Sequence, residues 1–86
     1  MSEPGGSGRD GFRGLDRLQP GESGIVVLVG GDTETARRLM ELGLVPGTVV
    51  EVVRRAPLGD PVEIRLREVH LSIRLAEAAR VHVARR

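Results

Sequence analysis

The apolar residues of this chain fall in short runs, and three of the runs begin directly after a glycine or a proline. The run at residues 25–29 is wholly aliphatic, whereas in Val62–Leu66 apolar residues alternate with Glu63 and Arg65. Short β-branched runs favour strands, and the alternation indicates a strand with one buried face. We predict five strands, at residues 25–29, 48–53, 62–66, 71–73 and 81–83.

One segment, residues 33–42, has the period of an amphipathic helix instead. Ala36, Leu39 and Met40 lie three and four positions apart, and charged residues occupy the opposite side. This spacing predicts a helix that packs one stripe inward. Residues 76–79 are long enough for only one helical turn. The chain is therefore expected to be mainly β with one α-helix, folded as a small closed barrel.

The end of the predicted helix carries a capping motif. Gly43 follows the last turn, where a left-handed backbone costs glycine little, and Leu44 can pack back onto that turn. Pro46 and Gly47 then favour a turn before the second strand. We assign these four residues a structural role.

The chain of 86 residues is long enough for one small domain. Residues 1–14 are rich in glycine, so we expect a disordered N-terminal tail and a folded domain at residues 15–86. Leu15 and Leu18 form a short apolar segment at the start of this domain. The predicted core contains Ile25, Val27, Val29, Leu39, Met40, Leu44, Val50, Val52, Val62, Ile64, Leu66, Leu71, Ile73, Val81 and Val83.

The composition argues against several classes of protein. The absence of cysteine removes disulfides and thiolate chemistry. The net charge of +1 does not favour nucleic-acid binding, and Phe12 is the single aromatic residue, so platforms for stacked bases are lacking. No apolar run approaches the roughly 20 residues of a membrane helix, and the N-terminal residues lack the apolar stretch of a signal peptide. We expect a cytoplasmic protein.

Catalytic motifs are also missing from the sequence. The chain contains no lysine, and hence no phosphate-binding loop of the type that needs one. A serine site could be assembled on paper from Ser23 or Ser72 with His70 and Asp60, but no nucleophile elbow supports it. We therefore expect a protein that is not an enzyme.

The two imidazoles, His70 and His82, are the weak candidates for a metal site. A site would need them to converge with carboxylates such as Glu68 or Glu77. Strand alternation points His82 away from the buried face, which favours a solvated histidine and no cofactor, with a weak Fe²⁺ site as the alternative. The acidic residues of the helix are better explained as a cap and as surface charges: Asp32, Glu34 and Glu41.

Residues 56–61 contain two prolines and a glycine, which predict a rigid loop between the second and third strands. Leu58 lies at its tip, and Arg54 and Arg55 stand where the strand meets the loop. An apolar anchor beside guanidinium donors is typical of interface hot spots. The alternative, in which Leu58 folds under the loop and the arginines are merely solvated, stays open.

Two of these segments together resemble the signature of the FeoA family. They are residues 38–48, RLMELGLVPGT, and residues 54–61, RRAPLGDP, and the similarity extends from about Leu15 to Val83. The resemblance implies an SH3-like barrel of about five strands and a partner, FeoB, which is a ferrous iron permease with a cytosolic G domain. The residues that we predict to bind this partner are Arg54, Arg55, Pro57, Leu58, Gly59 and Asp60.

The same resemblance implies a small accessory or regulatory protein of bacterial ferrous iron uptake, located at the inner face of the membrane through its partner. Two alternatives remain: an SH3-like regulatory module related to the C-terminal domain of iron-dependent repressors, and a protein that binds a transition metal directly. The third hairpin departs from the family, because Glu68 and Val69 stand where a glycine and an aromatic or polar residue are usual. A β-branched residue resists positive φ, so the geometry of this turn is in question.

Overall fold

The computed structural model describes residues 12–86, which form one sheet, two helices and a single 3₁₀ turn. The strands are β1 (Phe12–Gly14), β2 (Ser23–Val29), β3 (Val49–Arg55), β4 (Val62–Leu66), β5 (Val69–Ile73) and β6 (Val81–Arg85). The helices are α1 (Thr33–Glu41) and α2 (Leu75–Ala78), and the 3₁₀ turn is Leu15–Arg17. The prediction of a mainly β domain with one substantial helix is confirmed.

All neighbouring strands are antiparallel, in the order β1-β6-β2-β3-β4-β5. Strands β3, β4 and β5 are a meander of two hairpins, and β6 returns to lie between β1 and β2. Within residues 12–86, β1 and β5 share no hydrogen-bonded pairing, so the barrel is open between its two edge strands and not closed as predicted.

The sheet has a sixth strand that the sequence did not predict. Residues Phe12–Gly14 pair with β6, whereas they were assigned to the N-terminal tail. Three residues ending in glycine carry no strand signal, and the pairing comes from a segment about 70 residues later in the chain. The sheet thus begins three residues before the predicted boundary, and the rest of the predicted tail lies outside the described residues.

The interior is a single apolar cluster to which five of the strands contribute. The prediction is confirmed for Leu39, Leu44, Val50, Val52, Val62, Ile64, Leu66, Ile73, Val81 and Val83, which are buried, and Val29 and Leu71 pack against them. It is wrong for Ile25, Val27 and Met40, which are exposed. Four residues that were not predicted complete the cluster: Leu15, Leu18, Val26 and Ala78.

The error in β2 is one of register. Every residue from 25 to 29 is apolar, so alternation allows two registers, and the structure turns Val26 inward. Gly24 is also buried, and a Cβ built there would lie 2.9 Å from Val83 Cγ2. A bulge between Val26 and Leu28 then shifts the alternation, which brings Val29 back toward the core.

Helix α1 buries one side chain fully, Leu39, so its apolar stripe is narrower than predicted and leaves Met40 at the surface. Its C-terminal cap has the predicted form. Gly43 has φ 112°, and its N–H donates to the Met40 carbonyl at 2.9 Å. The N–H of Leu44 donates to the Leu39 carbonyl at 3.2 Å, which completes a Schellman motif and brings the buried Leu44 side chain under the helix.

In the hairpin between β4 and β5, the positive φ that was in question at Val69 occurs at another residue of the turn. Leu66 and Val69 face each other as the last pair of the ladder, so Val69 remains extended. The positive φ falls on Arg67, at 57°. Arginine is not β-branched, so it tolerates this region better than Val69 would.

The N-terminal cap of α1 is expected to make the stability of the protein depend on pH. Asp32 Oδ1 accepts from the Thr35 N–H at 2.8 Å and Oδ2 from the Thr35 hydroxyl at 2.9 Å, and these bonds hold the pKa of Asp32 below its ordinary value of 3.8. A lowered pKa in the folded state means that the stabilisation is present at neutral pH and is lost as the pH falls through that pKa.

Melting temperatures of the wild type and Asp32→Asn, followed from about pH 7 to about pH 2, test this expectation. Asparagine is also a good N-cap, so the two should agree at neutral pH. In acid the wild type should lose more stability than the variant. The same loss in both proteins would contradict the assignment.

Candidate interaction site

The loop between β3 and β4 is closed by its own backbone hydrogen bonds. The Ala56 N–H donates to the Pro61 carbonyl at 3.0 Å, and the Gly59 N–H donates to the Ala56 carbonyl at 2.7 Å. Pro57 and Gly59 flank Leu58, whose surface is 96% exposed. The predicted projecting tip is therefore present, and the alternative in which Leu58 folds under the loop is wrong.

Asp60 attaches this loop to the rest of the domain. Its Oδ1 accepts from the backbone N–H of Leu75 at 3.0 Å, so the carboxylate holds the first residue of α2. Leu58, Asp60, Pro61 and Arg74 together line a shallow groove. The loop thus presents an apolar tip beside an acidic and a basic side chain, on a backbone held at both ends. Arg74 was not predicted as part of this site, because only the fold brings α2 against the loop.

Arg54 and Arg55, the last two residues of β3, have different environments. Arg54 is exposed, and its Nε lies 3.1 Å from Glu63 Oε2 on the neighbouring strand. The Arg55 guanidinium instead donates to the backbone carbonyls of Asp16 and, at 2.8 Å, Leu18. Arg55 therefore holds the N-terminal segment against the sheet, and Arg54 is the arginine of the pair that is more available at the surface.

The two histidines lie on strands that are far apart in the sheet. His70 is on β5 opposite Arg65, and His82 is on β6 between Gly14 and Leu28. Three strands separate β5 from β6. Glu77 is engaged with Arg38 and with the backbone N–H of Arg74. Within residues 12–86 no three histidine or acidic side chains are close enough to hold a metal ion.

The residues of the hypothetical serine site are brought together only in part. Ser23 is on β2, two strands away from β5, which carries both Ser72 and His70, and the Asp60 carboxylate accepts from the Leu75 N–H. Within residues 12–86 the fold does not assemble a histidine hydrogen-bonded to Asp60. What it does assemble is a surface with a fixed apolar tip, which suits recognition of another macromolecule.

The six-stranded antiparallel sheet with its projecting loop has the fold of a small SH3-like domain. The FeoA protein of Stenotrophomonas maltophilia, solved with zinc and described as a procaryotic SH3 domain protein, has this fold. It is 33% identical, with a TM-score of 0.69, over 79% of this chain and 85% of its own. A protein described as the iron uptake regulatory protein FeoA is 31% identical, with a TM-score of 0.80, over 87% of this chain and 99% of its own.

The family model of the FeoA domain matches residues 13–85, and the chain belongs to this family. A curated relative, the Fe(2+) transport protein A/Fe(2+) transporter FeoB fusion protein of Porphyromonas gingivalis, is 36% identical over 69 residues. The match covers 80% of this chain and 8% of that protein.

The fold is also shared with proteins of low sequence identity. A manganese-dependent transcriptional repressor superposes with a TM-score of 0.79 over 87% of this chain and 42% of its own, at 16% identity. This likeness concerns the fold alone.

Proposed function

We propose that this protein is a small accessory and regulatory protein of bacterial ferrous iron uptake that binds an FeoB-type permease at its cytosolic G domain. The observation that carries the proposal is the relative from Porphyromonas gingivalis, in which an FeoA segment and FeoB share one chain. Fusion of this kind keeps two proteins at a high effective concentration. A separate FeoA chain needs an interface of its own to achieve the same association.

The loop between β3 and β4, residues 56–61, which we call the Leu58 loop, is the part of the described surface best suited to such an interface. Its tip is exposed and apolar, and its backbone is fixed by internal hydrogen bonds and by Asp60, so little conformational entropy is lost on docking. Arg54 and Arg74 add guanidinium groups that can pair with carboxylates of the partner. Asp60 and the arginines form a polar rim around one apolar anchor.

The proposal places the protein on the inner side of the membrane, where the G domain of the permease lies. No helix in residues 12–86 is long and apolar enough to cross a membrane. Under this proposal the permease attaches the protein to the membrane, and the protein acts by assembling with it or by changing its nucleotide state.

A pull-down between the full chain and the cytosolic domain of the cognate FeoB tests this proposal. It is performed without nucleotide, with GDP and with a GTP analogue, and we expect retention in at least one of these states. An interface built on an apolar anchor should persist at high salt, whereas binding through arginines alone should weaken steeply. Reproducible absence of binding in all three states would overturn the proposal.

The proposal assigns the protein no resident metal, and Fe²⁺ is the cargo of the permease. The relative from Stenotrophomonas maltophilia was solved with zinc, so direct binding needs its own test. We expect the NMR signals of His70 and His82 to stay unchanged when Fe²⁺ or a substitute divalent ion is added, since the two imidazoles do not converge. Saturable shifts of either imidazole at micromolar metal would show that the protein has a metal site.

A further inference from the structure

An apolar row crosses the outer face of the sheet, on the side away from the core. Strand pairing places Phe12 beside Ala84, Ala84 beside Ile25, and Ile25 beside Val49. These four residues belong to β1, β6, β2 and β3, which are consecutive in the sheet. We call them the outer apolar row.

The side chains of this row face outward. The residues that follow or precede them along the strands, Val83, Val26 and Val50, are fully or almost fully buried, and alternation turns the row to the other face. Exposure is 57% for Phe12, 38% for Ile25 and 37% for Val49.

Phe12 is the only aromatic residue of the chain, and it lies on the surface and not in the core. Aromatic side chains contribute strongly to folding when they are buried, and they are enriched at protein interfaces. Packing against residues 13–86 therefore does not account for its position.

A basic groove adjoins the row at Val49. Its lining includes Val49, Glu51, Arg65, Arg67 and Arg86. Arg65 pairs with Glu51, whereas Arg67 and Arg86 form no ion pair with any carboxylate in the described part of the chain. Within residues 12–86, two guanidinium groups that are not paired with a side-chain carboxylate therefore lie next to an apolar surface.

We propose that the outer apolar row and the basic groove form a docking surface for an amphipathic helix of a partner protein, with acidic residues at one end of that helix. Three steps between strands of about 4.8 Å give the row a length of about 14 Å. An apolar stripe of about three helical turns, each 5.4 Å, has a matching length. Carboxylates beyond the last apolar residue would reach Arg67 and Arg86.

This surface is separate from the Leu58 loop. Val49 begins β3 and the loop follows its end, so six residue steps of about 3.3 Å place the two about 20 Å apart. Helix docking at the outer apolar row does not require that the Leu58 loop binds FeoB. An experiment can therefore contradict one of these two assignments and leave the other intact.

Two designed peptides test the inference. Both are about 18 residues long, since shorter helices are marginal in water, and both carry leucines at helical spacing on one face. One ends in three glutamates and the other in three lysines. Each is titrated into the ¹⁵N-labelled full-length protein and followed by NMR.

The glutamate peptide is expected to shift the amide signals of Phe12, Ile25, Val49, Arg67 and Ala84. It should bind at least about tenfold more tightly than the lysine peptide, because two ion pairs are replaced by two repulsive pairs. That preference should shrink as salt is added.

Substitutions locate the contact. Ile25→Asp should abolish the shifts, and Val69→Asp, on β5 outside the row, is the matched control that should retain them. Arg67→Glu should lower affinity for the glutamate peptide about tenfold even if Ile25→Asp does not fold.

Several results would overturn the inference. They are unchanged signals along the row up to millimolar peptide, shifts confined to residues 56–61, and equal affinity for the two peptides. Self-association of the peptide-free protein through the row would also overturn it, because the occupant would then be a second copy of the chain.

Discussion

Replacing Leu15 with alanine is expected to lower the free energy of unfolding by about 2–5 kcal/mol, the range observed when a large aliphatic side chain is removed from a core. Leu15 is fully buried in the apolar cluster, although it belongs to a 3₁₀ turn of three residues near the N-terminus. Arg55 binds the carbonyls of Asp16 and Leu18, so this segment is held in place and cannot collapse freely into the cavity. Urea denaturation of the purified protein measures the effect.

Leu28→Ala provides the control for this measurement. Leu28 is an exposed leucine on β2, and its truncation should change stability by less than about 0.5 kcal/mol. A domain of this size has about 5 kcal/mol of stability, so the Leu15 variant is expected to retain at most about 3 kcal/mol and to unfold at a clearly lower urea concentration. If both variants were equally stable, the N-terminal segment would not be an integral part of the core.

Replacing Leu58 with aspartate should have the opposite pattern, with a folded domain and a weakened interaction. Its side chain is almost wholly in solvent, so a charge there is hydrated and stability should stay within about 0.5 kcal/mol of the wild type. If Leu58 is the anchor of the interface, binding to the cytosolic domain of FeoB should weaken by about 2 kcal/mol or more. Denaturation and calorimetric titration measure the two effects separately.

Leu28→Asp is the matched control, because it adds the same charge at another exposed leucine. We expect it to retain affinity for FeoB. Unfolding of the Leu58 variant would show that the loop tip supports the fold. Unchanged stability together with unchanged binding would remove the loop from the interface, and Arg54 and Arg74 would lose their proposed role with it.

The local features of this protein were predictable from its residues. Alternation in Val62–Leu66 identified the strand and its buried face, and Gly43 with Leu44 identified the cap of α1. Prolines and a glycine identified the loop around Leu58. Each of these features depends on residues within a few positions of one another, whose steric and hydrogen-bonding preferences act without help from the rest of the chain.

The features that were missed depend on contacts between distant segments. Phe12–Gly14 is a strand because β6 lies beside it. Arg55 holds the N-terminal segment because its guanidinium can donate to the Leu18 carbonyl. The buried face of β2 depends on a bulge and on the close approach of Gly24 to Val83. Alternation alone could not predict which face of β2 is buried, since both faces of that strand are apolar.

The sequence by itself thus determined the class of fold, the family and the position of one projecting loop. Only the tertiary structure decided which surfaces the fold presents: Arg74 reaches the loop through α2, and strand pairing brings Phe12, Ala84, Ile25 and Val49 into one row. These four residues are separated by up to 72 positions, and nothing local relates them. Side chains so distant in sequence become neighbours through the register of the sheet, which is set by burial of the opposite face.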